Sequence, residues 1–218
     1  EAVISTQTDN TGLWALDLFS RRYGWHTETN APSLNQPIAR YTNKERTALL
    51  LEVKDKGTLE LERTKAEHVD VFYSREELTP RLGDYALVLV VSPQRFDAGA
   101  TPTIQFVPRV LSLGLGCRYQ CEPTDIVEHI FSEIRRLGFY PEAVGKLATI
   151  DLKKDEPLLN ELADRLGVTP LIYTADELKD VEVLSPSQKV FEVTGVWGVA
   201  ESTSRYAAGL GSIVLPKQ

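Results

Sequence analysis

The second half of the chain alternates short apolar runs with segments of helical periodicity, and this alternation limits the fold more than any other feature. Strands are predicted at residues 110–115, 147–150, 170–173 and 212–215. Helices are predicted over residues 123–137, 155–166 and 197–208, with shorter ones after Thr174 and Ser185. Strands that alternate with helices form largely parallel sheets covered on both faces, and right-handed crossovers place the strand-to-helix loops on one edge.

The ends of these helices carry recognisable signals. Gly138 and Gly167 follow two of the periodic segments, as expected of residues that end helices. Asp155 is the predicted N-cap of the helix over 155–166. Thr174 and Glu177 have the spacing of a capping box, in which each side chain satisfies a backbone amide of the other.

The first half of the chain is predicted to be mixed α/β as well. A strand at residues 2–5 precedes a helix over 13–23, and buried strands are predicted at 48–53, 69–73 and 86–92. Within the polar stretch 26–46, one helix and no strand is expected. Three prolines and Gly99 interrupt residues 93–109, where we place a domain boundary. We therefore predict two three-layer α/β/α domains with largely parallel sheets, at residues 1–107 and 108–218.

Composition excludes several classes of protein. The chain carries a net charge of −7 and no long Lys/Arg run, so generic binding of nucleic acid is not expected. No apolar run approaches the roughly 20 residues of a membrane span. Two cysteines cannot form a disulfide framework, which favours reduced thiols and a cytoplasmic setting. The sequence contains no Met and opens on Glu1, so we expect it to be a piece of a longer chain.

A glycine loop follows the predicted strand 110–115. Gly114 and Gly116 suggest a dinucleotide fingerprint, but Tyr119 stands where the third glycine belongs, so that interpretation is rejected. The loop leads to a helix N-terminus with Arg118 adjacent, which favours an anion. The alternative is that the glycines only permit a tight turn.

Two further polar clusters follow predicted strands. Asp151 and Lys153 form a compact group that could bind or protonate a substrate, with a capped helix and a solvated lysine as the alternative. Asp9 follows the first strand and precedes a helix, so it is either a functional carboxylate or an N-cap. Cys117 and Cys121 with His129 lack metal-ligand spacing, so no protein metal site is predicted.

Several of these segments, taken in order, resemble the cobalamin-biosynthesis protein G family, the cobalt-precorrin-5A hydrolases. The blocks are S-T-Q-T-D-x-x-G-L-x-A-x-D at 5–17, L-G-L-G-C-R at 113–118, L-A-T-I-D-L-K-K-D-E-P at 147–157, P-S at 186–187, V-A-E at 199–201 and L-P-K at 215–217. The resemblance is specific over residues 108–218 and looser over 1–107. Family members carry a glycine-rich region before the first block, and it is missing here.

The resemblance implies a reaction of anaerobic vitamin B12 synthesis. Water opens the ring A δ-lactone of cobalt-precorrin-5A, the C20 carbon and its methyl group leave as acetaldehyde, and cobalt-precorrin-5B is formed. This needs a base for water, a donor for the developing oxyanion and a proton donor for the ring. No cofactor is required, because the cobalt arrives inside the tetrapyrrole substrate.

Site residues follow from the matched blocks. Asp9 or Asp151 is the candidate catalytic base. The candidate substrate-binding residues are Thr6, Thr8, Gly116, Cys117, Arg118, Thr149, Lys153 and Lys217. Positive groups are expected to meet the carboxylates of the substrate.

A competing hypothesis belongs to a different functional class. Relatives of the C-terminal domain occur alone in the aerobic pathway, so this domain could be a non-catalytic binder or carrier of tetrapyrroles. Other enzymes of the cobalamin pathway are candidate protein partners. Release of acetaldehyde from cobalt-precorrin-5A distinguishes an enzyme from a carrier.

Overall fold

The computed structural model describes residues 12–118 and 123–216, and the strand predicted at 2–5 lies outside them. The chain divides into two compact units, Glu1–Pro108 and Arg109–Gln218, which we call the N-terminal unit and the C-terminal unit. Within the described residues, no helix has the length and apolar character needed to cross a membrane.

The N-terminal unit is built on a mostly parallel sheet. Its elements are α1 (Leu16–Tyr23), β1 (His26–Thr29), α2 (Asn35–Thr42), β2 (Thr47–Leu51), α3 (Lys56–Thr64), β3 (Val69–Phe72), α4 (Arg75–Leu78), a 3₁₀ helix (Thr79–Asp84), β4 (Leu87–Val91) and β5 (Thr103–Val107). Among the described residues, the strand order is β1-β5-β4-β2-β3. All neighbours are parallel except β1, which runs antiparallel to β5.

Both faces of this sheet are covered. Leu49 on one face packs in a cluster with Phe19 of α1 and Leu61 of α3. Leu50 on the opposite face packs with Leu78 of α4. Every residue of β2, β4 and β5 is buried, which explains why β4 and all of β2 after Thr47 are apolar in sequence.

The segment 93–109 contains the division between the two units, as predicted, and also a buried strand that was not predicted. Strand β5 lies inside it, between β1 and β4, and all five of its residues are buried. The two compact units meet in sequence after Pro108. Strand β1, within the polar stretch 26–46, was also not predicted, because an edge strand reading His-Thr-Glu-Thr carries no apolar alternation.

The C-terminal unit contains a parallel sheet with the order β6-β7-β8 in its described part. Its elements are β6 (Leu111–Gly114), α5 (Thr124–Arg136), a 3₁₀ helix (Pro141–Ala143), β7 (Val144–Ile150), a 3₁₀ turn (Asp151–Lys153), α6 (Pro157–Leu166), β8 (Leu171–Tyr173), α7 (Ala175–Leu178), α8 (Gln188–Thr194) and α9 (Val199–Ala207). The prediction of two three-layer α/β domains with largely parallel sheets is confirmed.

Helices cover the two faces of this second sheet. Phe131 of α5 and Leu162 of α6 pack with Leu147 of β7 in one cluster. Val199 of α9 packs with Ile150 in a separate cluster. Helix α9 lies so close to β6 that a Cβ atom on Gly114 would be 1.8 Å from the carbonyl oxygen of Ala200. A glycine is therefore needed at this position.

Two predictions for this unit are wrong. Asp155 is not an N-cap: α6 begins at Pro157, the N-cap position is Glu156, and no side chain caps the helix there. Proline at the first helical position needs no amide partner, which makes a cap at Asp155 unnecessary. Residues 212–215 form no strand, so among the described residues β6 is an edge strand.

Candidate functional site

The loops after β6 and β7 leave the same edge of the parallel sheet. Gly114 lies opposite Ala148, and the amide of Leu115 donates to the Ala148 carbonyl at 2.8 Å. The hydroxyl of Thr149 donates to the Leu115 carbonyl, also at 2.8 Å. Residues 116–118 and 151–153 therefore begin side by side, at the edge where open α/β sheets bind ligands.

The predicted residues of the β7 loop differ in exposure. Thr149 is fully buried, and its hydrogen bond joins the ends of β6 and β7. Lys153 Nζ lies 3.0 Å from Oε1 of Glu156, a carboxylate that is itself buried. Asp151 is exposed, and its Oδ1 accepts a hydrogen bond from the Leu152 amide at 2.8 Å. Of the three predicted site residues in this part of the chain, Asp151 is the one with an exposed side chain.

A pocket of about 700 Å³ runs along the outer edge of β6. Its walls are β6, the face of α5 that carries Ile126 and Ile130, part of α9, and the segment 211–216. We call it the edge pocket. Gly116, Cys117 and Arg118 line its end near the carboxyl edge of the sheet.

The edge pocket contains only some of the predicted site residues. Gly116 and Arg118 are exposed, and Cys117 is half-buried against the core. Thr149, Asp151 and Lys153 do not line the pocket. Four other predicted residues lie outside the described residues: Thr6, Thr8, Asp9 and Lys217.

Other polar side chains of the edge pocket were not selected from the sequence. His129 and Glu133 lie on α5 among its apolar residues, and both line the pocket. Hydrogen bonds from Arg136 hold the pKa of the Glu133 carboxyl below its usual value. The sequence did contain a signal, because His129 and Glu133 occupy positions within the apolar stripe that begins at Ile126.

Glu201, which belongs to the V-A-E block, lies in the first turn of α9 and also lines the edge pocket. It is buried, and its Oε2 accepts hydrogen bonds from the amides of Leu184 and Ser185 at 2.6 and 2.9 Å. These bonds hold the loop before α8 against α9. The P-S block directly follows these two residues in the same loop.

The N-terminal unit has a separate polar cluster at the carboxyl ends of β2 and β4. The Arg75 guanidinium binds both oxygens of Glu52, at 2.7 and 2.6 Å, and also contacts Ser92 Oγ at 3.3 Å. A further bond reaches the Arg95 carbonyl at 2.8 Å. These groups satisfy one another, so the cluster holds loops together. Across residues 12–118 and 123–216, no three His, Cys, Asp or Glu side chains are placed to hold a metal ion.

Family models match both units. Residues 111–218 match the model described as "Cobalamin synthesis G C-terminus", and residues 14–108 match "Cobalamin biosynthesis central region". Together the two matches cover nearly all described residues.

The chain is also similar to individual proteins. The chain is 28% identical over 218 residues to a cobalt-precorrin-5A hydrolase of Priestia megaterium, covering 99% of this chain but 58% of that protein. It is 27% identical over 107 residues to protein CobE of a Sinorhizobium species, covering 48% of this chain and 70% of that protein. A crystal structure of CobE, from the cobalamin (vitamin B12) pathway, has a TM-score of 0.42 at 30% identity, covering 47% of this chain and 77% of that one.

Proposed function

The chain belongs to the cobalamin-biosynthesis protein G family, and we propose that it hydrolyses cobalt-precorrin-5A, releasing acetaldehyde and forming cobalt-precorrin-5B. The observation that carries this proposal is the similarity to a cobalt-precorrin-5A hydrolase over nearly the whole chain. The chain spans 58% of that relative's length. The proposal concerns the activity of these two units.

The chemistry is assigned to the carboxyl edge of the C-terminal unit. Asp151 is exposed there and can accept a proton from water, and Asp9 is the alternative base from the sequence. The amides of Gly116 and Cys117 are the proposed donors to the oxyanion that develops on the lactone carbonyl. Arg118 is the proposed partner of a substrate carboxylate, because Lys153 is already paired with the buried Glu156.

Acetaldehyde release from cobalt-precorrin-5A tests the activity directly. The Asp151→Asn variant is expected to lower kcat by about 10² to 10⁴, because an amide cannot take a proton from water. Asp155→Asn is the matched control, since Asp155 is exposed in the same loop and caps no helix. This control is expected to retain wild-type activity.

The same assay separates the alternatives. Full activity of Asp151→Asn together with loss of activity in Asp9→Asn would identify Asp9 as the base. A spectral shift of the substrate on binding, with no acetaldehyde from the wild-type chain, would instead favour a non-catalytic carrier of tetrapyrroles. The family membership does not depend on this result.

A further inference from the structure

The edge pocket lies where the helices around β6 change from one face of the sheet to the other. Helix α5 packs on the face that carries Leu147, and α9 crosses β6 on the opposite face. In open α/β sheets, ligands usually bind in the crevice outside the carboxyl ends of the strands. The edge pocket runs along β6 between the two helices and reaches that end of the sheet at the loop 116–118.

The outer edge of β6 presents backbone groups to the pocket. The Leu115 amide points toward β7, where it donates to the Ala148 carbonyl. Successive residues of a strand direct their amides to opposite sides, so the amides of Ser112 and Gly114 point away from β7. Both residues line the pocket. The pocket therefore offers hydrogen-bond donors along one side.

The remaining walls are mostly apolar, and Arg118 lies at one end of the pocket. The lining also includes Arg205, Glu133 and Glu201, each of which already has a hydrogen-bond partner in the chain. Ile126, Ile130 and Ile134 of α5 present aliphatic side chains. Arg118 is exposed, and it forms no hydrogen bond or ion pair with any residue in the described part of the chain. A largely apolar cleft, with backbone donors along one side and the exposed Arg118 at its end, fits a ligand that is flat, largely apolar and anionic at its rim.

We propose that the edge pocket binds the macrocycle of the tetrapyrrole, with ring carboxylates meeting the amides of Ser112 and Gly114 and the guanidinium of Arg118. This inference rests on the proposed function for the class of ligand. The volume of about 700 Å³ falls within the range of roughly 300–1,000 Å³ that is typical of ligand pockets. Asp151 lies outside the edge pocket but at the same edge of the sheet. The part of the macrocycle that reacts would therefore lie outside the pocket, past Gly116, where it can reach Asp151.

Binding of cobyrinic acid, a stable cobalt corrin with free carboxylates, tests the proposal without turnover. A visible-absorbance titration gives the dissociation constant for each variant. Ala208→Trp places a large side chain in the pocket from an exposed position after α9, and it is expected to weaken binding at least about tenfold. Arg118→Gln is expected to weaken binding about 10- to 100-fold, through loss of a charged hydrogen bond.

Two control variants match these changes outside the pocket. Asn160→Trp adds the same bulk to an exposed position of α6, and Lys179→Gln removes an exposed positive charge after α7. Both are expected to bind like the wild type, and circular dichroism verifies that all four variants are folded. If Ala208→Trp is folded and binds as tightly as the wild type, the pocket is not the site.

The outcome for the pocket is separate from that for the reaction. A wild-type chain that releases acetaldehyde but binds equally well in all variants would overturn the pocket and leave the hydrolase intact. A wild-type chain that does not bind cobyrinic acid at all would also overturn the pocket proposal. Acetaldehyde release would then decide the proposed function alone.

Discussion

At the scale of single residues, Gly114 is the glycine of the C-terminal unit around which the structure leaves least room for a side chain. An added Cβ would lie 1.8 Å from the Ala200 carbonyl oxygen and 2.8 Å from Thr203 Oγ1, and the first contact is with backbone. We expect Gly114→Ala to lower the free energy of unfolding by about 1–3 kcal/mol, because α9 must move. Urea denaturation measures the loss. Gly83→Ala, where a Cβ meets no atom within 4 Å, is the control.

Glu52 and Arg75 predict a pH dependence of stability. Burial raises the pKa of the Glu52 carboxyl, but hydrogen bonds from Arg75 and Ser92 more than offset this, so its pKa lies below the ordinary 4.5. A carboxyl with a lowered pKa in the folded state contributes its stability above the unfolded value and loses it as the pH falls through the folded value. We therefore expect the pair to contribute fully above about pH 4.5 and progressively less below it.

Urea unfolding of the wild type and of Glu52→Gln, compared at pH 7 and pH 3, measures this effect. The variant is expected to be less stable by about 2 kcal/mol at pH 7, since hydrogen bonds to a charged group are lost. The difference should shrink at pH 3. An equal difference at both pH values would show that ionisation of Glu52 contributes nothing.

At the scale of secondary-structure elements, two aspartates near helix starts are expected to differ. Asp55 accepts the Thr58 amide at 2.8 Å and caps α3, with Thr58 completing the capping box. Asp155 caps nothing. Asp55→Ala should cost about 1 kcal/mol of stability and Asp155→Ala less than about 0.5 kcal/mol, both measured by urea denaturation. Equal losses would contradict the assignment of the caps.

Some strands and helices could be predicted from the sequence, and others could not. The strands β2 and β4 were predicted because burial on both faces gives a run of mostly apolar residues. The strongly amphipathic α5 was predicted because burial on one face gives a helical period. Strand β5 was missed because its buried Thr103 and Gln105 are polar in sequence. Gln105 is satisfied by bonding to the Ser92 and Gln94 carbonyls, a tertiary contact that no local pattern reveals.

The candidate site was predictable to a similar extent. Gly116, Arg118 and Asp151 follow strands, and parallel topology alone places them at one edge. The edge pocket itself was not predicted, because its walls come from α5, α9 and the segment 211–216, which are distant in sequence. Residues 212–215 carry a strand-like pattern, but a strand also requires a partner, and sequence periodicity does not specify one.

At the scale of the whole molecule, the division after Pro108 predicts that the C-terminal unit folds alone. The Arg109 guanidinium belongs to this unit, because it donates to the carbonyls of Val144 and Leu166. A fragment of residues 109–218 is expected to unfold cooperatively in urea. A fragment of 110–218 lacks these bonds and should be less stable by about 1–3 kcal/mol. A fragment 109–218 without near-ultraviolet circular dichroism would contradict this independence.

The edge position of β6 has a consequence for the behaviour of the chain in concentrated solution. Among residues 12–118 and 123–216, no strand pairs with the outer edge of β6. A strand edge without a partner is a template on which another polypeptide can add a strand, and proteins usually protect such edges to avoid aggregation. The flanking apolar side chains of α5 increase this tendency. A ligand in the edge pocket would occupy the same backbone amides of β6. The protein with ligand bound should therefore remain monodisperse at concentrations where the ligand-free protein associates.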